Sequence, residues 1–230
     1  MARGEESVLQ RSAHPGIPYR IRRSERARRV RVTVDMTGVE VVLPRRAAEH
    51  EAAAAVRELA PWIERRLRER EAARAAVAAR GDAVPYLGGL LTVRAEPGRA
   101  RVGRRGDELL VPAGAQRVAA LESWYRRAAR EEVTVRLDRA CALAGTAYTR
   151  LTIRGQRTRW ASCSRAGAMS FNWRLLLAPA PVLDYVVWHE VCHLEVPDHS
   201  PRFWALVARR CPEYRRWAAW LRRHGQTLVL

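Results

Sequence analysis

The stretch Trp188-His189-Glu190-Val191-Cys192-His193, continued by Leu194-Glu195-Val196-Pro197-Asp198-His199-Ser200-Pro201, decides how the rest of the chain is read. Two histidines four apart on a helix stand one turn apart on the same face, so both imidazoles reach one ion. Glu190 lies about 100° round the helix from His189. There its carboxylate flanks the ion and can take a proton from a bound water without filling a coordination position. A catalytic zinc takes three protein donors and keeps a fourth position for water. His199 is the leading candidate for the third donor, because the Pro197-Asp198 turn lets a reversing chain present a side chain back to the ion; Glu195 and Asp198 stand as alternatives. The motif helix is otherwise apolar, with Val186, Val187, Trp188, Val191 and Leu194. Without a metal it would bury two histidines that lack partners, which is costly. Cys192 reads as a buried apolar thiol and Cys163 as a small packed residue. His14, His50 and His224 sit in polar surroundings and read as solvated surface groups.

Working outward, Ala178-Pro179-Ala180-Pro181 blocks any preceding helix and permits the motif helix to start, over Val182 to Leu194. Ser200-Pro201, a hydroxyl N-cap with proline at the first helical position, opens a further helix through Arg210. Pro212 starts the last one, which carries Trp217 and Trp220. Before the motif, Leu151, Ile153, Trp160 and Met169 to Leu177 read as strands, with Ala168 to Asn172 expected at the edge of its sheet. From Ile17 to Leu43 the pattern has period two around a Thr37-Gly38 turn, which predicts a half-buried antiparallel sheet with an arginine-rich outer face. Residues 47–80 have helical spacing, and Pro61 should kink or restart that helix. A second strand group spans Tyr86 to Pro112. The helix from Arg117 to Leu143 follows, with Val118, Leu121, Tyr125, Ala128, Val135 and Ala140 on its apolar stripe. No internal repeat is visible. The organisation expected is a loose tail over 1–16, a scaffold of strands and two long helices over 17–144, and a catalytic region over 145–230 packed on it.

A chain of 230 residues buries a core without disulfides or a structural metal, so a metal found here is free to be functional. The composition, 48% apolar and 29% charged with no apolar run of membrane-spanning length, excludes a disordered chain and a transmembrane helix. Nothing at the N-terminus reads as a secretory signal, so a cytoplasmic location is expected. Cys141, Cys163, Cys192 and Cys211 fit neither a disulfide framework nor a cysteine zinc cluster, and are expected to be reduced. The net charge is +18, yet all 42 basic residues are arginine. So complete a replacement of lysine points to nucleotide composition more than to selection for bidentate contacts.

Three segments together resemble a known family. Arg159-Trp160-Ala161-Ser162-Cys163-Ser164, then Met169-Ser170-Phe171-Asn172-Trp173-Arg174-Leu175, then the histidine helix with its trailing His199-Ser200-Pro201-Arg202-Phe203-Trp204, are similar to the YgjP-like metallopeptidases. These are zincins related to the SprT-like group and often called the WSS type. The likeness extends more weakly over about residues 17–226. It implies an α+β, zincin-like fold with small antiparallel sheets, long helices, and a C-terminal metal-binding helix with flanking helices. It also implies zinc held by His189, His193 and His199, with Glu190 as general base, and places Asn172 on a strand bordering the active cleft, where it would touch substrate. Ala161 departs from the glycine usual at that place. The metzincins share the histidine spacing but need glycine where Val196 stands and a methionine after the helix, and no methionine follows Met169.

The function expected is therefore zinc-dependent hydrolysis of a peptide or protein substrate by a glutamate-activated water. Two alternatives are a metal-dependent nucleotide phosphoanhydride hydrolase, with arginines clamping phosphates, and a DNA-directed protease using the segment Arg20 to Arg31, which holds seven arginines against one glutamate. No membrane partner is expected, and the sequence does not fix an oligomeric state. Charge alone predicts non-specific nucleic-acid binding through the arginine-rich surface. In a filter-binding titration, affinity for mixed-sequence DNA should fall by about 10³-fold or more between 50 and 200 mM salt if six or more phosphates are neutralised. Submicromolar affinity that persists at physiological salt would instead mark a dedicated site.

Overall fold

A computed structural model describes residues 8–11, 16–35, 38–114, 117–156 and 159–230. Two units emerge, Met1–Ala75 and Ala76–Leu230.

In the first unit, β1 (Val8–Arg11), β2 (Pro18–Ser24), β3 (Arg31–Asp35) and β4 (Gly38–Pro44) form one sheet in the order β1-β2-β4-β3. Residues 1–7 and 12–15 of the expected tail, with Met36 and Thr37 of the expected turn, lie outside the described residues, as does His14. The alternation predicts the buried face: Tyr19, Ile21, Val39 and Val41 point inward with Leu43, onto Ala52 and Val56 of α1 (Glu49–Glu58) and Ile63 of α2 (Ala60–Ala79). The sheet is mixed, not antiparallel as expected, because β2 and β4 run parallel. Periodicity reports which side chains share a face and is blind to strand direction. Pro61 is the second residue of α2, where a missing N–H costs nothing, so it restarts the helix after Leu59. On the outer face Arg22 pairs with Glu40 at 3.2 Å, and Arg23 donates to the carbonyls of Arg45 and Ala47 at 3.0 and 2.8 Å. Part of the basic stripe is thus tied to its own unit.

The second unit opens with β5 (Ala83–Tyr86), β6 (Gly89–Glu96), β7 (Gly103–Arg105) and β8 (Glu108–Pro112), in the order β5-β6-β8-β7. Both four-stranded sheets have the same wiring: an antiparallel first pair, a parallel middle pair and an antiparallel last pair. Each is followed by helix. The sequence shows no sign of this repeat of topology beyond the echo between Val41-Val42-Leu43-Pro44 and Leu109-Leu110-Val111-Pro112.

α3 (Arg117–Ala144) is the spine of this unit, burying Leu121, Trp124, Tyr125, Ala128, Ala129, Val133, Leu137, Ala140 and Cys141. Val118 and Val135, expected on the buried stripe, are 63% and 68% exposed. The buried line advances in steps of four through Leu121, Tyr125, Ala129, Val133 and Leu137, and Val135 stands about 200° from Val133 by the helical period. Tyr125 packs on Trp124, Tyr86 and Trp173, with ring centroids 4.9, 6.5 and 5.7 Å away.

β9 (Arg150–Arg154), β10 (Ala161–Cys163) and β11 (Ala168–Asn172) form the third sheet in the order β10-β11-β9. β11, expected at an edge, is the central strand; β10 and β9 are the edges. A single turn of 3-10 helix, Trp173–Leu177, then leads to α4 (Ala180–Cys192), α5 (Pro201–Arg210) and α6 (Tyr214–His224). The prolines before α4 act as expected, with Pro179 at the N-cap. Ser200 caps α5 in backbone conformation only, since its hydroxyl makes no capping bond. The mixed α+β architecture with small sheets and six helices is that of the expected zincin-like class. No helix among the described residues is long and apolar enough to cross a membrane.

Because Leu137 is fully buried, Leu137→Ala should cost about 2–5 kcal/mol in urea denaturation. Val135→Ala, two residues away and exposed, should change stability by no more than about 0.5 kcal/mol. Equal losses at both positions would mean that the packing face of α3 is misassigned.

Candidate metal centre

α4 is buried on most sides, through Val182, Leu183, Val186, Val187, Val191 and Cys192, so its one polar strip is fixed in direction by packing. That strip carries His189 and His193, whose ring centroids stand 5.0 Å apart. The helix ends at Cys192, and the Val196 N–H returns to the Cys192 carbonyl at 2.9 Å, which reverses the chain. His199 is thereby brought back over α4, its centroid 5.1 Å from His189 and 4.6 Å from His193. One donor nitrogen from each of the three rings lies within 4.8 Å of the others.

Phe203 of α5, fully buried, forms the floor under all three imidazoles. It stacks on His193 at 4.4 Å and meets His189 and His199 at 4.9 and 4.8 Å. Trp204 flanks His199 and is itself stacked on Tyr214. The Nδ1–H of His193 donates to the Val196 carbonyl at 3.1 Å, which fixes the tautomer and leaves Nε2 as an acceptor facing its neighbours. The Nε2 atoms of His189 and His199 are 3.1 Å apart, close to the roughly 3.3 Å separation of two nitrogens bound tetrahedrally to zinc.

Electrostatics points the same way. Burial, reinforced by His193 and His199, pushes the His189 imidazole down to about 3, and burial lowers His193 as well. Both are therefore neutral at pH 7, the form in which imidazole binds a metal. Glu190, 5% exposed, is pushed up to about 8 by burial, against the pull of a hydrogen bond that its carboxylate accepts from the Cys163 backbone N–H. Three imidazoles with converging nitrogens, two of them held neutral by burial, fit a nitrogen-preferring divalent ion such as zinc.

The other residues singled out from the sequence lie elsewhere. Glu195 turns away to an ion pair with Arg210, whose side chain is 11% exposed and which also contacts the Cys192 sulfur. The Asp198 carboxylate accepts the Ser200 N–H at 3.0 Å. Asn172 is 4% exposed; its amide donates to the Gln156 carbonyl at 2.7 Å and its oxygen accepts the Arg174 N–H at 3.1 Å, so it ties Gln156 to the start of the 3-10 turn. The four cysteines are free thiols, with Cys141 and Cys192 buried and Cys163 half-buried. Burial first, and then Glu190, pushes the Cys163 thiol up to about 11.

Three contributors escape a reading of the sequence: the backbone of Cys163, the floor Phe203 and the clamp Arg210. The apolar position four residues after His199 is the one local signal that points to Phe203.

A family model described as YgjP-like, metallopeptidase domain, matches residues 28–224. The chain belongs to the YgjP-like family. The match spans both units and the whole histidine cluster, and it makes this a metallopeptidase-domain chain whose family chemistry is metal-dependent. No curated protein and no solved structure matched.

Proposed function

We propose that this YgjP-like chain is a zinc metallopeptidase, with His189, His193 and His199 as ligands through Nε2 and Glu190 as general base. The observation that carries this reading is the convergence of three imidazoles beside a buried glutamate that is not itself part of the donor cluster. When bound, zinc supplies Lewis acidity, lowering the pKa of a water toward about 7 and polarising a carbonyl. Glu190 accepts the proton released as the water oxygen bonds to the carbonyl carbon, and delivers it to the amine nitrogen as the C–N bond breaks. The Cys163 N–H orients the carboxylate during both transfers, and Phe203 holds the three imidazoles from beneath.

The outer edge of β10 supports peptide as the substrate. Asn172 N–H bonds to the Trp160 carbonyl and Ser164 N–H to the Ala168 carbonyl, so positions 160, 162 and 164 face β11. Ala161 and Cys163 face outward, and Cys163 spends its outward N–H on Glu190. An extended backbone pairing with Ala161 therefore runs past the general base. Asn172 serves this arrangement indirectly, by holding Gln156 ahead of β10. Four free cysteines suit a reducing, cytoplasmic setting.

Elemental analysis after extensive dialysis should find about one zinc per chain, as three nitrogen ligands imply. His199→Ala should lose it, while Glu195→Ala and Asp198→Ala keep it. Glu190→Gln should retain zinc and fold yet cleave unfolded polypeptide at least about 10²-fold more slowly. Zinc loss in Glu190→Gln, or near-normal cleavage, would contradict the assignment of Glu190; zinc loss in Glu195→Ala would contradict that of His199.

A further inference from the structure

His189 and His193 take their directions from α4 and its C-cap, but His199 stands on the segment between α4 and α5, where no helix fixes its side chain. It is exposed, while the other two are half-buried. The rings are also held by different means. His193 donates from Nδ1 to the Val196 carbonyl at 3.1 Å. The polar contact of His199 is with a fellow imidazole, Nε2 of His189 at 3.1 Å, and a bound ion would take both of those nitrogens. Among the described residues, what then remains to orient His199 is its packing against other rings.

Two rings do this in different ways. Phe203 meets His199 edge-on, 4.8 Å away at 70°, and limits its tilt. Trp204 lies 5.7 Å away at 33°, close enough to parallel to set the imidazole plane. Trp204 is itself placed by the first turn of α5, its N–H bonding at 3.2 Å to the carbonyl of Ser200, the residue next to His199. Tyr214, at the start of α6, stacks on Trp204 at 5.6 Å and 20°. The Arg215 guanidinium covers the Tyr214 ring in turn, 5.7 Å from its centroid, and Arg215 Nε donates to the phenol oxygen at 3.1 Å. His199, Trp204 and Tyr214 thus form a ladder of rings running from the metal centre to α6. Packing α5 on α6 needs apolar volume but not a shared plane. A ligand outside a helix needs the plane, because rotation about its side-chain bonds carries Nε2 away from the ion, and every freed rotor must be ordered again on binding.

We propose that Trp204 is a positioning residue for the metal centre: backed by Tyr214, it sets the plane in which His199 presents Nε2. This rests on the reading of His199 as the third ligand. Groups that orient a ligand from outside the coordination sphere typically govern metal affinity by about 10- to 100-fold.

The test loads the full-length chain with cobalt(II), whose visible d–d bands report coordination geometry, and measures cobalt affinity by competition with a chelator. Urea denaturation of the metal-free protein follows the fold, and His199→Ala checks the ligand reading. Trp204→Leu and Tyr214→Leu should each weaken cobalt binding by about tenfold or more and alter the d–d bands. Trp204→Phe, which restores a flat ring, should recover most of both. Tyr214→Leu leaves every residue beside the ion in place and carries the test if Trp204→Leu does not fold. Suppose His199→Ala disturbs affinity and bands while the folded leucine variants leave both unchanged, or Trp204→Phe fares no better than Trp204→Leu. Trp204 then only packs α5 on α6, and its positioning role is overturned with His199 still a ligand. If His199→Ala changes neither affinity nor bands, His199 is not a ligand and Trp204 has nothing to position.

Discussion

The packing of Phe203 under three imidazoles is the constraint on which the rest of the site depends. A metal centre needs donors that are close together and held in place. Here the fully buried ring of α5 supports His189, His193 and His199 at centroid distances between 4.4 and 4.9 Å. Because α4 is buried along Leu183, Val187 and Val191, its histidine strip cannot rotate away from that ring. The chain reversal after Cys192 is in turn secured by the Val196 N–H bond and by Arg210 holding Glu195. Remove the floor and the imidazoles regain rotation.

The same packing explains why Glu190 is poised beside the cluster and not within it. It sits on the neighbouring face of α4, deep enough that burial raises its carboxyl against a hydrogen bond from the Cys163 backbone N–H. Placing that N–H on the outer edge of β10 ties the Glu190 side chain to an edge strand of the third sheet. Fold and chemistry meet in a three-residue strand.

Much of this is legible in the sequence where the determinants are local. The i, i+4 spacing of His189 and His193 fixes their shared face whatever surrounds the helix, and the Ala178 to Pro181 run announces where α4 begins. His199 is within reach because only five residues separate it from His193. The features that are not legible are those set by tertiary pairing. Strand direction in the first sheet, the central position of β11 and the shared wiring of the two four-stranded sheets depend on partners far along the chain, and periodicity carries no trace of them. Val135 defeats the periodic reading because the buried stripe of α3 advances in fours, which carries it away from the face that the average period predicts. Asn172 is singled out in the sequence only through the family resemblance, and its burial and its backbone partners, the Gln156 carbonyl and the Arg174 N–H, come from tertiary structure. The +18 charge is plain in the sequence and is the least informative feature, for several arginines are spent on carbonyls and carboxylates of their own unit.

The most direct test of the central claim is diffraction recorded on both sides of the zinc absorption edge, from crystals of protein purified without chelator. The account predicts one anomalous peak per chain, bonded to Nε2 of His189, His193 and His199, with the Glu190 carboxylate near but unbonded. No peak at the three histidines, or a peak ligated by Glu190, Glu195 or Asp198, would contradict it.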